Sequence, residues 1–233
     1  MIRHPPLPHE SPWEQRRSAQ DTLRLPAVTA SALLVLPIKA FDSAKGRLAS
    51  TLTPDKRVRL AQECASRVVG AAGECDVLVV TSAEADSPAP NHDVATWAAA
   101  NNASCIAQTS PGLNAAVREG VVWAAGHDYA VVVVAHSDIP LATPVIEFID
   151  RDIVVIVPDT QRDGTNLMSL PVSVAQEFDF HYGPGSFRAH VAEARLRGHE
   201  PRVVASREWS LDLDNPEDLD DPRIREVLTW LNT

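Results

Sequence analysis

The segment Tyr129–Ala135 reads Tyr-Ala-Val-Val-Val-Val-Ala, and it constrains the fold more than any other stretch of this chain. Its successive valines show no polar alternation, so the strand they form must be covered on both faces. Ala32–Ile38 (ALLVLPI) and Asp76–Thr81 (DVLVVT) have the same character. Helix signals lie between these runs. Thr53-Pro54 supplies an N-cap and a first-turn proline for a helix to about Gly73, and Gly112-Leu113-Asn114 opens another to about Gly126. Buried strands alternating with helices imply an α/β domain of three layers around a mostly parallel mixed sheet. In such sheets ligands sit beyond the carboxyl ends of the strands, so the residues just after each apolar run are the first candidates for chemistry.

The remaining pattern predicts short helices at Asp93–Asn102 and Pro144–Asp150, and strands at Ser104–Gln108, Ile153–Val157 and Asn166–Leu170. A helix from Ser186 to about Gly198 follows, then strands at Arg202–Ser206 and Ser210–Asp214, and a closing helix at Pro216–Leu231. Residues Met1 to about Thr29 hold five prolines, mixed charge and no apolar signal region. They read as a flexible extension, with Trp13 either docked or loosely held, ahead of a single domain over residues 30–233.

A net charge of −10 argues against a broad nucleic-acid surface but leaves nucleotides open, because a metal can offset phosphate charge. No apolar run reaches membrane-spanning length. Cys64, Cys75 and Cys105 form no CxxC pair, which gives no support to a zinc site or a disulfide framework and points to a reducing, cytoplasmic setting. The chain contains no GxxxxGK[ST], no GxGxxG after the first strand and no GxSxG elbow.

Three polar clusters fall at predicted strand ends: Lys39–Arg47, His136–Asp138 and Asp159–Thr165. The lysines and arginine of the first suit a polyphosphate, the alternative being a solvated basic loop. The aspartate of the second suits a metal. Near the C-terminus, Asp212-Leu213-Asp214 on a strand would place both carboxylates on one face and the leucine in the core. Paired hard-oxygen ligands suit magnesium, which takes one or two carboxylates plus substrate phosphates; a solvated strand end before a proline-started helix is the plainer reading.

One ordered set of segments runs through the chain: Ile38-Lys39 with Ser43–Leu48, Gly112–Asn114, Ser137–Pro140, Pro158-Asp159 with Asp163–Asn166, Tyr182–Phe187 and Asp212–Asp218. This set, over roughly Leu33–Leu231, resembles the 2-phospholactate guanylyltransferase family of coenzyme F-420 biosynthesis, within the GT-A-like nucleotidyltransferases. The resemblance implies a Rossmann-like GT-A-type fold and transfer of GMP from GTP to 2-phospho-L-lactate, phosphoenolpyruvate or 3-phospho-D-glycerate, with loss of pyrophosphate. It also implies hand-off of the product to a deazaflavin-dependent transferase. Asp138, Asp212 and Asp214 would hold magnesium. Lys39, Lys45 and Arg47 would hold the triphosphate. Asn114 would touch the nucleotide or simply cap its helix. Thr165, Gly183 and Ser186 would grip the acceptor, Ser186 with the anion-favouring start of its helix. A homodimer is in keeping with the family, and the oligomeric state stays open.

The chain departs from the family pattern at three places. His136 stands where a small or acidic residue is expected, Asn215 replaces a more usual threonine, and Phe178–His181 is longer than expected. Molybdopterin and sugar-phosphate nucleotidyltransferases usually carry a glycine-rich loop after the first strand, where this chain has Gly46 alone. A nucleotide-binding regulator without catalysis is disfavoured by the presence of all three aspartates.

Overall fold

The computed structural model describes residues 31–84 and 87–232, so the extension expected over Met1–Thr29, with Trp13, lies outside the described residues. In chain order the regular elements are β1 (Ala32–Ile38), α1 (Pro54–Ala71), β2 (Asp76–Thr81), α2 (His92–Ala100), β3 (Ser104–Ala107), α3 (Leu113–Gly126), β4 (Val131–Ala135), β5 (Val155–Pro158), β6 (Thr165–Pro171), α4 (Val172–Glu177), α5 (Ser186–Leu196), β7 (Arg202–Val203) and α6 (Pro222–Val227). Short 3-10 turns lie at Gly46–Ser50, Val145–Phe148, Pro216–Asp220 and Thr229–Asn232.

The strands form one sheet in the order β3-β2-β1-β4-β6-β5-β7. β3, β2, β1 and β4 are parallel, and β6 runs antiparallel to both β4 and β5. The chain moves outward in one direction from β1 and in the other from β4, so the strand order switches between these two neighbours. Their register ends at Val35↔Val134, while β1 continues beside β2 to Ile38↔Thr81. Pro37, which cannot donate to a ladder, therefore falls beyond the last β4 pair. The parting of β1 from β4 opens a crevice at their carboxyl ends.

The four valines of β4 explain the layering. Val131 and Val133 join an apolar cluster with Leu34, Leu36 and the α1 residues Ala61, Ala65 and Val68. Val132 and Val134 join a second cluster on the opposite face, with Leu33, Val35 and the α3 residues Val117 and Val121. Each fully buried valine contributes about 1.5–3 kcal/mol. A third cluster stands apart from the sheet. Leu48, Leu52, Leu60 and Cys64 pack there against Leu213, Leu219, Ile224 and Leu228, which ties the C-terminal segment to the loop after β1.

The structure corrects several expectations. Ser210–Asp214 is not a strand: Leu213 N–H donates to Asp138 O at 3.1 Å, and no ladder continues from it. The alternation survives nonetheless, with Leu213 fully buried and Asp212 and Asp214 half-buried on either side. The expected closing helix is broken at Asp221, whose following proline forces it to extended backbone (ψ 122) while its side chain accepts the Arg223 N–H of the next helix. The helix expected at Pro144–Asp150 is one 3-10 turn, and the strand expected at Arg202–Ser206 shortens to Arg202–Val203. The short helix α4 carried no signal beyond its proline start.

Two glycine substitutions test the packing with opposite signs. A Cβ at Gly120 on α3 would lie 2.4 Å from Val35 Cγ1 of β1, whereas one at Gly70 on α1 would meet nothing within 4 Å. Gly120→Ala is expected to lower unfolding free energy by about 1–3 kcal/mol through overpacking. Gly70→Ala is expected to raise it by about 0.5–1 kcal/mol through helix propensity. Urea unfolding of both variants checks this.

Candidate active site at the crevice between β1 and β4

The loop after β1 is fixed at its base. Thr81 Oγ1 and Ser82 Oγ, from the end of β2, donate to Lys39 O at 2.9 and 3.0 Å. Phe41 is buried edge-on against Trp97 at 5.3 Å. Lys45 then takes a left-handed conformation (φ 56, ψ 36), rare for a residue with a side chain, before the turn Gly46–Ser50. Its side chain is only 6% exposed. The ammonium has three donors and three acceptors: Asp138 Oδ2 at 3.0 Å, Leu213 O at 2.6 Å and Asp214 Oδ1 at 3.2 Å. Arg47 adds a bond to Asp214 Oδ2 at 3.3 Å from a side chain 71% exposed, a contact of little energetic weight. Lys39 is exposed at the mouth of the adjoining cavity of about 240 Å³, which Phe41, Lys45, Ser137, Asp138 and Asp214 also line.

The carboxylates are unequal. Burial opposes ionisation of Asp138, but the Lys45 ammonium and then His136 outweigh it and hold the carboxyl below its usual range. Burial raises Asp212, and the neighbouring charge of Asp138 raises it further. Asn166 Nδ2 reaches Asp212 Oδ1 at 3.4 Å and Trp209 O at 3.1 Å. For Lys45, burial alone would ease deprotonation, but Asp138 and Asp214 prevail and raise its pKa. Asp218 accepts the Asp214 and Asn215 N–H groups at 2.8 and 2.6 Å, fixing the acidic segment at its start.

The expected trio of metal ligands is not assembled as a trio. Among the described residues no three His, Cys, Asp or Glu side chains converge as a metal-holding group. The reason is visible: Lys45 stands between Asp138 and Asp214. The donor set does suit a hard cation that takes one or two carboxylates and completes its shell with phosphate and water. Asp138 Oδ1 is buried with no hydrogen-bond partner, which leaves an acceptor open beside the one that Lys45 fills.

The residues expected at the acceptor gather on the other side of β4. Asp159 organises the turn between β5 and β6, accepting the N–H groups of Asp163 and Gly164 at 2.9 and 2.8 Å. Asp163 in turn accepts the Gly185 N–H on Oδ2 at 3.1 Å and the Phe187 N–H on its carbonyl at 2.9 Å, while Ser186 N–H donates to Gly183 O. At the helix start expected to favour an anion, the N–H groups of Gly185, Ser186 and Phe187 thus have partners within the protein. Thr165 and Ser186 are buried, and Thr165 Oγ1 pairs with His190 Nδ1 at 3.0 Å. Gly183, at φ 133, is exposed. The Asn114 amide binds both backbone groups of Tyr182, accepting N–H at 2.7 Å and donating to O at 3.3 Å, and so ties the start of α3 to this loop.

His136 lies under this loop, its ring 5.6 Å from that of Tyr182. Its Nε2 and the Tyr182 hydroxyl are both buried without a partner. Sequence reasoning passed over Asp163, Tyr182 and His190 as functional residues. The available signal was the spacing of Ser186 and His190, four residues apart on one helix face.

A seven-stranded sheet of this kind, with cations and carboxylates at its switch point, defines a nucleotidyltransferase-like protein. Solved structures with the same fold include 4-diphosphocytidyl-2C-methyl-D-erythritol synthase from Anaerococcus prevotii, with TM-score 0.56 and 11% identity over 88% of this chain and 99% of that one. The 2-C-methyl-D-erythritol 4-phosphate cytidylyltransferase from Thermus thermophilus has TM-score 0.52 and 12% identity over 88% and 100%. More specifically, residues 32–225 match the family model "Guanylyl transferase CofC like", and the chain belongs to that family. A phosphoenolpyruvate guanylyltransferase of Rubrobacter xylanophilus is 35% identical over 81% of this chain and 92% of its own length. A 2-phospho-L-lactate guanylyltransferase of Methanothermobacter thermautotrophicus is 31% identical over 79% and 81%.

The buried imidazole gives a pH prediction. His181 N–H donates to His190 Nε2 at 2.9 Å, so Nδ1 carries the proton of the neutral ring, and a second proton would face a donor. Burial, and next the charges of His181 and His136, pull His190 down to about 4, against a smaller pull upward from Glu193. The unfolded chain therefore binds more protons between the ordinary value near 6.5 and about 4, so this contribution is complete above pH 6.5 and is lost as pH falls. Between pH 7 and 4 the wild type is expected to lose about 3 kcal/mol more stability than His190→Gln, read from unfolding at each pH.

Proposed function

We propose that this chain is a magnesium-dependent guanylyltransferase that moves GMP from GTP to a phosphorylated three-carbon acid, phosphoenolpyruvate foremost. The observation that carries this is the Lys45–Asp138–Asp214 cluster at the β1/β4 crevice, flanked by an anchored loop at residues 182–186. The first suits a triphosphate with its cation, and the second walls a small acceptor. Phosphoenolpyruvate is placed first because it is the acid named for the Rubrobacter relative.

The acceptor's phosphate is already an anion, so no general base is required. Its oxygen attacks the α-phosphorus of GTP, the bond from that phosphorus to the oxygen bridging to the β-phosphate breaks, and pyrophosphate leaves. The barrier is repulsion between two anions, which positioning and positive charge must overcome. Lys39, Lys45 and Arg47 hold the triphosphate. The segment around Thr165, Gly183 and Ser186, braced by Asn114, Asp163 and His190, holds the acid. Asp138, Asp212 and Asp214 would hold magnesium, which would supply charge stabilisation at the transferring phosphate. The product, a guanylylated acid with a diphosphate bridge, goes to a deazaflavin-dependent transferase in coenzyme F-420 biosynthesis.

The test is pyrophosphate release from GTP and magnesium with phosphoenolpyruvate, 2-phospho-L-lactate or 3-phospho-D-glycerate. Turnover with one of them is expected, and no release with any acid would leave a nucleotide binder instead. Asp138→Asn is expected to lower kcat/KM by about 100-fold or more, and an unchanged value would remove that residue from the mechanism.

A further inference from the structure

We infer that Lys45 is a built-in counter-ion that holds Asp138 and Asp214 in the position of a divalent cation and leaves it for the nucleotide's phosphates, so that metal and nucleotide bind as a coupled pair. The inference rests on the proposed guanylyltransferase reading and concerns the order in which that site fills.

The geometry is that of a substitute cation. Lys45 Nζ lies 2.6–3.2 Å from two carboxylate oxygens and one carbonyl drawn from two remote segments, and its three donors are all used. A cation entering between Asp138 and Asp214 must displace it. The ammonium is nearly enclosed, so it leaves only if another anion is near, and the two half-buried carboxylates give it up only if another cation arrives. Metal alone meets the second condition and nucleotide alone the first; together they meet both. Three further facts favour an exchange over a permanent brace. Lys45 holds a left-handed backbone next to Gly46, a conformation that the anchored side chain helps maintain. Asp138 Oδ1 remains buried and without a partner beside the filled Oδ2, so the site is not saturated by the lysine. The cavity lined by Lys45 and Asp138 also takes in Lys39 and Ser43, giving the ammonium a short path to a phosphate chain. Arg47 is a poor candidate for the same role, being exposed and making a single contact to Asp214 at 3.3 Å.

Coupling of this kind is reciprocal and typically spans about 5–150-fold. The experiment is Mn²⁺ titration followed by electron paramagnetic resonance, with the Mn²⁺–GTP signal measured separately. Without nucleotide, Lys45→Met is expected to bind Mn²⁺ about tenfold more tightly than the wild type, while Arg47→Met changes the affinity by less than about threefold. Circular dichroism verifies that each variant is folded. A folded Lys45→Met with wild-type Mn²⁺ affinity overturns the inference. The wild type gives a second test that needs no variant: its Mn²⁺ affinity must rise about tenfold when GTP is added without acceptor. Equal affinity with and without bound GTP overturns the coupling and leaves the guanylyltransferase reading intact. Failure of GTP to bind at any Mn²⁺ concentration removes that reading and the inference with it.

Discussion

A single nearly enclosed ammonium ties three remote segments of this protein together. Lys45 follows β1, Asp138 follows β4 and Asp214 lies near the C-terminus, yet the three meet within 3.2 Å. Opposite charges in a nearly enclosed place stabilise one another only as a set. Lys45 is the enclosed member, so losing a carboxylate partner would leave its ammonium poorly compensated away from water. The sheet alone cannot deliver Asp214 to this point, since its segment joins no strand. The cluster of Leu213, Leu219, Ile224 and Leu228 against Leu48 and Leu60 does so. Apolar packing outside the main core thus sets the electrostatics of the crevice.

The opposite wall is built on a different principle. Asp159, Asp163 and Asn114 spend hydrogen-bonding capacity on backbone groups, and His190 on a backbone N–H and the Thr165 hydroxyl. The result is a braced loop whose last residue before the helix, Gly185, is held by the Asp163 carboxylate, while the Asp163 carbonyl takes the Phe187 N–H. Within this wall the Tyr182 hydroxyl and His136 Nε2 are buried without a hydrogen-bond partner.

Much of the fold was legible because it rests on local signals. The valines of β4 demanded cover on both faces, and Thr53-Pro54 marked the start of α1 to the residue. Motif order singled out the aspartates for a metal and the loop lysine for a triphosphate, as separate groups and not as partners. What the sequence did not reveal was who binds whom. A Lys45 side chain that bonds carboxylates in the free chain and a Lys45 that awaits phosphate look identical in a string of letters. The same holds for Asn114, which reads as a helix-start residue but clamps Tyr182 from 68 positions away. Asp212-Leu213-Asp214 was read as a strand because alternation is common to strands and to any extended segment with one buried residue. Ladder partners, which distinguish the two, are a tertiary property.

The account stands on the exchange of one cation for another at Asp138. The most direct measurement is a crystal structure of the chain with Mn²⁺ and GTP, using the anomalous signal to locate the metal. The account predicts a peak bound to Asp138, with Lys45 Nζ moved onto the phosphate chain. A peak away from Asp138, or Lys45 still bonded to both Asp138 and Asp214 beside bound GTP, contradicts it.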